Sequence, residues 1–123
     1  MRKVLLVEDE LLVREVAFED LSEAGFDVVT ASDGDEALEI LGQRADFDLL
    51  FTDIRMPGST DGWGLAREAK RLIPGLRVIY ATGFGDAGDD LAPDERYVCK
   101  PYSLKDLRQA LESLDLWGEP EGG

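Results

Sequence analysis

Five polar side chains in this sequence follow short apolar runs of the kind that forms buried strands. They are Glu8, Asp9, Asp53, Thr82 and Lys100. If the runs are parallel strands of one open sheet, their carboxyl ends share an edge, which is where ligands bind in such sheets. We therefore expect the five side chains to lie close together. Taken alone, Asp53 could be a metal ligand, a nucleophile or a helix cap.

The chemistry that suits this set is phosphoryl transfer. Crowded carboxylates at Glu8, Asp9 and Asp53 repel one another unless a cation neutralises them. Mg2+ or a similar divalent cation fits, because Mg2+ takes one or two carboxylates and completes its shell with water and phosphate oxygens. Lys100 adds a positive charge and Thr82 a hydroxyl donor, and phosphoryl transfer depends on such positioning. Asp53 is the candidate nucleophile, since an ordinary aspartate is ionised at neutral pH and needs no general base.

Strand and helix patterns alternate along the chain. Apolar runs predict strands near residues 4–7, 26–30, 49–53, 77–81 and 96–99. Apolar spacings of three and four predict helices after them, although the Gly- and Asp-rich stretch 83–95 supports only a short or irregular helix. This alternation predicts an α/β fold of flavodoxin-like type, with a parallel sheet in the order 2-1-3-4-5 and helices on both faces. We expect one domain at residues 1–117 and a flexible tail at 118–123.

Two of the predicted helices carry capping signatures at their starts. Asp33 with Glu36, and Ser103 with Asp106, have the spacing of a capping box. Leu104 continues the apolar spacing of the last helix and is expected to face the core.

The composition excludes several classes of function. With 27 acidic and 13 basic residues, the net charge of -14 opposes binding to nucleic acids and anionic membranes. The chain has no histidine, which removes His-based zinc sites, Ser-His and Cys-His catalysis, and any role as a phosphohistidine donor. The single Cys99 fits a reducing compartment and is expected to be a small buried hydrophobe. No apolar run approaches the roughly 20 residues of a membrane helix and no signal-peptide pattern is present, so a cytoplasmic location is expected.

The motifs together resemble one known family, the receiver domain of two-component response regulators. The resemblance covers about residues 2–116. It rests on five segments in the family's order, at residues 4–10, 51–58, 61–62, 81–83 and 98–101. The receiver fold and a phosphoacceptor function are what it implies.

The resemblance also assigns roles around the metal. Asp53 matches the phosphoacceptor, and Glu8 and Asp9 match the acidic pair, with Asp9 the more direct ligand. Asp53 itself and the backbone carbonyl of Arg55 match further metal ligands. The implied partner is a histidine kinase or a histidine phosphotransfer protein, acting on a monomer or weak dimer that signals to an unknown downstream protein.

Four residues match the family's positions for catalysis and switching. Thr82 matches the hydroxyl that turns toward the phosphoryl group, and Lys100 matches the lysine that pairs with a phosphoryl oxygen. Tyr97 matches the aromatic switch residue, and Pro101 the proline that follows a cis peptide. The modified domain would then change its interaction surface, and would catalyse only its own phosphorylation and dephosphorylation.

The sequence also departs from the family and leaves alternatives. The loop 58–62 is longer than usual in the family. The stretch between Thr82 and Lys100, which carries the family's usual output helix, is shorter, so the sequence does not predict which surface meets the downstream protein. A degenerate receiver, acting as a phosphate-independent binding module, would have lost the acids or the lysine. A small aspartate-nucleophile phosphatase would carry a second aspartate where Arg55 stands, and a flavin site would place a Ser/Thr/Gly-rich loop after the first strand. The chain could be a single-domain regulator or a receiver from a hybrid kinase.

Overall fold

The computed structural model describes residues 1–83 and 91–117 of the chain. The predicted irregular helix within 83–95 falls largely outside these residues, and the predicted tail at 118–123 falls wholly outside them. The described part contains five strands and four helices: β1 Lys3–Val7, α1 Leu11–Glu23, β2 Asp27–Ala31, α2 Gly34–Gln43, β3 Leu49–Asp53, α3 Gly62–Leu72, β4 Arg77–Thr82, β5 Glu95–Cys99 and α4 Leu104–Ser113.

The five strands form one parallel sheet in the order β2-β1-β3-β4-β5, which confirms the predicted fold class and strand order. Short apolar runs become central strands here because both faces of the sheet are covered. In β1, Val4 and Leu6 enter one apolar cluster and Leu5 and Val7 enter the other. The first cluster includes residues of α1 and α4, and the second includes residues of α2 and α3. The helices therefore lie on both faces, as predicted.

The parallel pairing brings the carboxyl ends of neighbouring strands to one edge. Val7 of β1 pairs with Thr52 of β3, and Asp53 pairs with Ala81 of β4. The β1–β2, β3–β4 and β4–β5 ladders each continue one hydrogen bond past a strand, as where the Glu8 N–H donates to the Ala31 carbonyl at 3.1 Å. Backbone hydrogen bonds to the sheet therefore fix the positions of the residues that follow these strands.

The two predicted caps are present, and one differs in detail. Ser103 and Asp106 form a complete capping box at the start of α4. At the start of α2, the Asp33 carboxylate accepts the Glu36 N–H at 2.8 Å. The Glu36 carboxylate, however, accepts the N–H of Ser32 rather than that of Asp33, so the box closes one residue earlier than predicted.

Two burial predictions are wrong. Leu104 is 46% exposed, because it is the first residue of α4 and precedes the turn that contacts the sheet. Cys99 is exposed rather than buried, because it ends β5, an edge strand with a neighbouring strand on one side only. None of the described helices combines the length and apolar character needed to cross a membrane.

Candidate functional site

Three carboxylates meet at the carboxyl edge of the central strands. Glu8 and Asp9 follow β1, and Asp53 is the last residue of the adjacent β3. One carboxylate oxygen from each lies within 4.8 Å of the other two. Glu8 is 3% exposed, Asp53 is half-buried and Asp9 is exposed. The cluster therefore runs from the protein interior to solvent, and it opens at Asp9.

Lys100 closes the inner side of this cluster. Its Nζ lies 2.9 Å from Glu8 Oε1 and 2.8 Å from Asp53 Oδ2. The backbone N–H of Lys100 donates to the Thr82 carbonyl at 2.7 Å, which extends the β4–β5 ladder by one residue. The peptide bond between Lys100 and Pro101 is cis. The sheet thus fixes the backbone from which the ammonium reaches two carboxylates.

Burial and charge shift two pKa values in the site. Burial raises the pKa of Glu8, against the opposing effect of hydrogen bonds from the Glu10 N–H and from Lys100. Burial lowers the pKa of Lys100, but the hydrogen bonds and charges of Asp53 and Glu8 outweigh it, so the pKa is raised. Lys100 is therefore a permanent cation at physiological pH. Three carboxyl groups against one ammonium leave a site that attracts a further cation.

The donor set fits a hard divalent cation. Mg2+ prefers oxygen ligands and keeps several waters, so a few carboxylates at a solvent-facing edge suit it. Asp9 and Asp53 offer oxygens on the open side of the cluster, and Glu8 lies behind them. Arg55 stands in the exposed loop two residues after Asp53, and the role of its carbonyl as a ligand stays a prediction.

Thr82 is the last residue of β4 and Tyr97 lies in β5, and the contacts of both are outside the carboxylate cluster. Thr82 is fully buried, follows the residue that pairs with Asp53, and its hydroxyl donates to the Gly83 carbonyl at 2.9 Å. Tyr97 is half-buried, and its ring centroid is 6.0 Å from that of Trp63 and 5.8 Å from that of Tyr80. Their switching roles stay predictions.

Gly62 brings the start of α3 against the end of β3. Its N–H donates to the Ile54 carbonyl at 2.8 Å. A Cβ at this position would lie 2.3 Å from the Asp53 carbonyl oxygen and 2.7 Å from the Ile54 Cα. Only glycine permits this approach. The 61–62 segment was singled out in the sequence, but its steric reason becomes visible only in the structure.

The contact between Lys100 and Glu8 was not predicted from the sequence. Both residues were assigned to the site, Glu8 to the metal and Lys100 to the phosphoryl group. The signal that could have indicated their contact is an acid directly after a buried-type strand, because a buried carboxylate is paired with a cation or coordinates a metal.

Fold and site together define an open α/β domain whose polar groups gather at the carboxyl ends of its strands. Residues 4–112 match the family model described as the response regulator receiver domain. The chain belongs to this family, the receiver domains of two-component signalling.

Its relatives include proteins of two lengths. The chain is 36% identical over 118 residues to the response regulator receiver protein CpdR of Brucella abortus, covering 93% of this chain and 97% of CpdR. It is 37% identical to the probable transcriptional regulator ycf27 of Cyanophora paradoxa, covering 92% of this chain and 48% of that protein. The chain therefore spans about half the length of ycf27 and its like.

A solved structure shows the same architecture. The response regulator TrrA of Thermotoga maritima, solved in complex with Mg2+ and BeF, matches with a TM-score of 0.80 and 31% identity. The match covers 93% of this chain and 99% of TrrA.

Proposed function

We propose that residues 1–117 form a receiver that accepts a phosphoryl group on Asp53 from a histidine kinase or a histidine phosphotransfer protein. Mg2+ would be held by Glu8, Asp9, Asp53 and the Arg55 carbonyl. The observation that carries this proposal is the contact between Asp53 Oδ2 and Lys100 Nζ, 2.8 Å, inside a cluster of carboxylates. A carboxylate held beside a fixed cation can receive an anionic group that its acidic surroundings would otherwise repel.

The transfer step needs no general base. An oxygen of the Asp53 carboxylate attacks phosphorus, an O–P bond forms, and the P–N bond to the donor imidazole breaks with its electron pair kept by the nitrogen. Lys100, already beside the Asp53 carboxylate, pairs with a phosphoryl oxygen. When bound, Mg2+ offsets the charge that the phosphoryl oxygens add to the carboxylates.

Thr82 would report the new group to the rest of the domain. Its hydroxyl now donates to the Gly83 carbonyl at 2.9 Å. Rotation toward the phosphoryl group exchanges this bond for a charge-assisted one, so the phosphorylated domain favours a conformation that the unmodified one populates less. Tyr97, half-buried against Trp63 and Tyr80, is the switch residue that would follow. The changed surface then meets a downstream protein in the cytoplasm.

An apolar cleft beside the site supports a protein as the phosphoryl donor. A cleft of about 540 Å³ is lined by Lys100 and by the neighbouring apolar residues Leu12, Val13, Val16, Pro101 and Tyr102. Leu12 is 75% exposed and Val16 is 58% exposed. Exposed apolar side chains next to a reactive group suit a contact with another protein, so the phosphoryl donor would seat here during transfer.

The test is incubation with a small phosphodonor and Mg2+, read by intact mass. We expect a gain of one phosphoryl group that chelation of Mg2+ prevents. Asp53→Asn should gain none, whereas Asp48→Asn, at the residue before the same strand, should gain it normally. Phosphoryl uptake by Asp53→Asn would show that another residue is the acceptor. No uptake from small donors or histidine kinases would favour the phosphate-independent binding module.

A further inference from the structure

The loop that joins β3 to α3 is held from two sides. It carries Arg55 and the 58–62 segment. On the sheet side, Gly62 closes it with a hydrogen bond to the Ile54 carbonyl and a close approach to the Asp53 backbone. The far side of the loop, at residues 58–60, contacts the start of α2 instead. Its position therefore depends on a helix that has no residue in the carboxylate cluster described above.

Asp35 makes the contact from α2. Its Oδ1 accepts hydrogen bonds from the hydroxyls of Ser59 and Thr60, both at 3.0 Å. Gly58 adopts a left-handed φ of +97°, and a Cβ there would lie 3.1 Å from Asp35 Oδ2. A Cβ on Gly34 would lie 2.5 Å from the Thr60 carbonyl oxygen. Three successive loop residues thus fit against the first two residues of α2.

The charge of Asp35 strengthens this contact. The hydrogen bonds from Ser59 and Thr60 lower the pKa of Asp35, which means that they favour its ionised form. Hydrogen bonds to an ionised carboxylate are about twice as strong as neutral ones. Since Asp35 is exposed, it adds little to the core, and its contacts act on the loop.

We propose that Asp35 is a positioning residue for the metal site: by holding Ser59 and Thr60 against α2, it fixes the loop that presents the Arg55 carbonyl to Mg2+. This inference rests on the proposed function. Without this contact, Mg2+ binding would have to order the loop. The loop would then lose conformational entropy on binding, and the affinity would be lower.

The test is calorimetric titration with MgCl2. Groups bonded directly to metal ligands typically contribute about tenfold or more to affinity. Asp35 acts one step further out, through Ser59 and Thr60, so we expect Asp35→Ala to weaken Mg2+ binding by about threefold to tenfold, with a smaller loss for Asp35→Asn. Ser59→Ala with Thr60→Val should weaken binding similarly, but should add nothing in the Asp35→Ala background. At saturating Mg2+, phosphoryl uptake by Asp35→Ala should return to within about twofold of the wild-type rate, because the loss lies in metal binding.

Two control variants separate positioning from general stability. Asp33→Ala removes the cap of the same helix, which accepts the Glu36 N–H at 2.8 Å, and should lower the melting temperature without changing Mg2+ affinity. Glu39→Gln removes one negative charge from the same helix and should also leave the affinity unchanged. Unchanged affinity in Asp35→Ala would overturn the inference. An equal loss in either control would overturn it too, because helix stability or net charge would then account for the effect.

Asp9→Ala in the same titration distinguishes this inference from the proposed function. Loss of binding in Asp9→Ala together with normal binding in Asp35→Ala overturns the inference alone. Unchanged binding in Asp9→Ala shows that the metal site itself is misplaced, and the inference then falls with it.

Discussion

Replacing Lys100 with methionine separates the two roles of its ammonium group, which are to stabilise the carboxylates of the metal-free site and to pair with the phosphoryl oxygen. The substitution keeps the alkyl stem and removes the charge that lies 2.9 Å from Glu8 Oε1 and 2.8 Å from Asp53 Oδ2. Without Mg2+, the two carboxylates then face each other with no cation between them. We expect the metal-free variant to be less stable and the Mg2+-bound variant to recover most of that loss.

The size of the expected stability loss follows from how deeply the three charged side chains are buried. Removing one partner of a fully buried ion pair costs about 3–5 kcal/mol. The side chain of Glu8 is 4% exposed and that of Asp53 12%, but that of Lys100 is 27% exposed. Solvent therefore screens part of the interaction, and we expect a loss of roughly 2–3 kcal/mol. For a domain of this size, that corresponds to a melting temperature lower by about 10 °C.

Mg2+ should change this difference because it binds the same oxygens. A ligand that binds only the folded state adds about 2.7 kcal/mol when its concentration is a hundred times its Kd. In Lys100→Met no ammonium competes for Glu8 and Asp53, so the variant should bind Mg2+ more tightly than the wild type and gain more stability from it. Phosphoryl uptake should nevertheless fall, since the cation that pairs with the phosphoryl oxygen is gone.

The assay is thermal unfolding followed by circular dichroism, in EDTA and in MgCl2. Lys70→Met is the matched control, because Lys70 has a 26% exposed side chain and two ion pairs, with Asp94 at 2.7 Å and Glu95 at 3.3 Å, away from the site. Mg2+ should not reduce its deficit. Our reasoning is refuted if Lys100→Met is as stable as the wild type in EDTA, or if its deficit is the same with and without Mg2+.

Two further predictions concern residues around Asp53. Burial raises the pKa of Glu8 in the folded state, so its stabilising contribution is present below its unfolded pKa and is lost as pH rises through the raised value. In EDTA at pH 7.5, Glu8→Gln should therefore be at least as stable as the wild type. The stability that the wild type gains when Glu8 is protonated at lower pH should be absent from the variant. A variant less stable than the wild type at pH 7.5 would contradict this. Gly62→Ala would place a Cβ 2.3 Å from the Asp53 carbonyl oxygen and should cost about 1–3 kcal/mol while weakening Mg2+ binding. Gly64→Ala, whose Cβ would meet its nearest atom at 3.4 Å, should cost nothing in either measurement.

The sheet and its functional edge could be predicted because their signals are local. Each strand is a short apolar run, and a polar residue such as Asp53 or Lys100 stands where the run ends. In a parallel sheet those ends lie at one edge, so Glu8 and Lys100 are predicted to be close although they are far apart in the sequence. The family resemblance added roles to these positions but no distances.

Other features depend on packing that no local pattern encodes. The Lys100–Glu8 contact joins residues 92 positions apart, and the contacts of Asp35 with the 58–62 loop span 24 and 25 positions. Which side chain reaches which partner depends on rotamers and on loop paths. Cys99 is apolar enough for the core, but it ends an edge strand, and its exposure follows from that place in the sheet.

The most direct test of the central claim is a crystal structure of this chain with Mg2+ and beryllofluoride, a phosphoryl mimic. We predict beryllium bonded to the Asp53 carboxylate, with Thr82 Oγ1 and Lys100 Nζ within hydrogen-bond distance of the fluorines. Mg2+ should lie among Glu8, Asp9, Asp53 and the Arg55 carbonyl. Beryllofluoride on another residue, or the side chains of Thr82 and Lys100 turned away from it, would contradict the claim that these residues form one phosphoacceptor site.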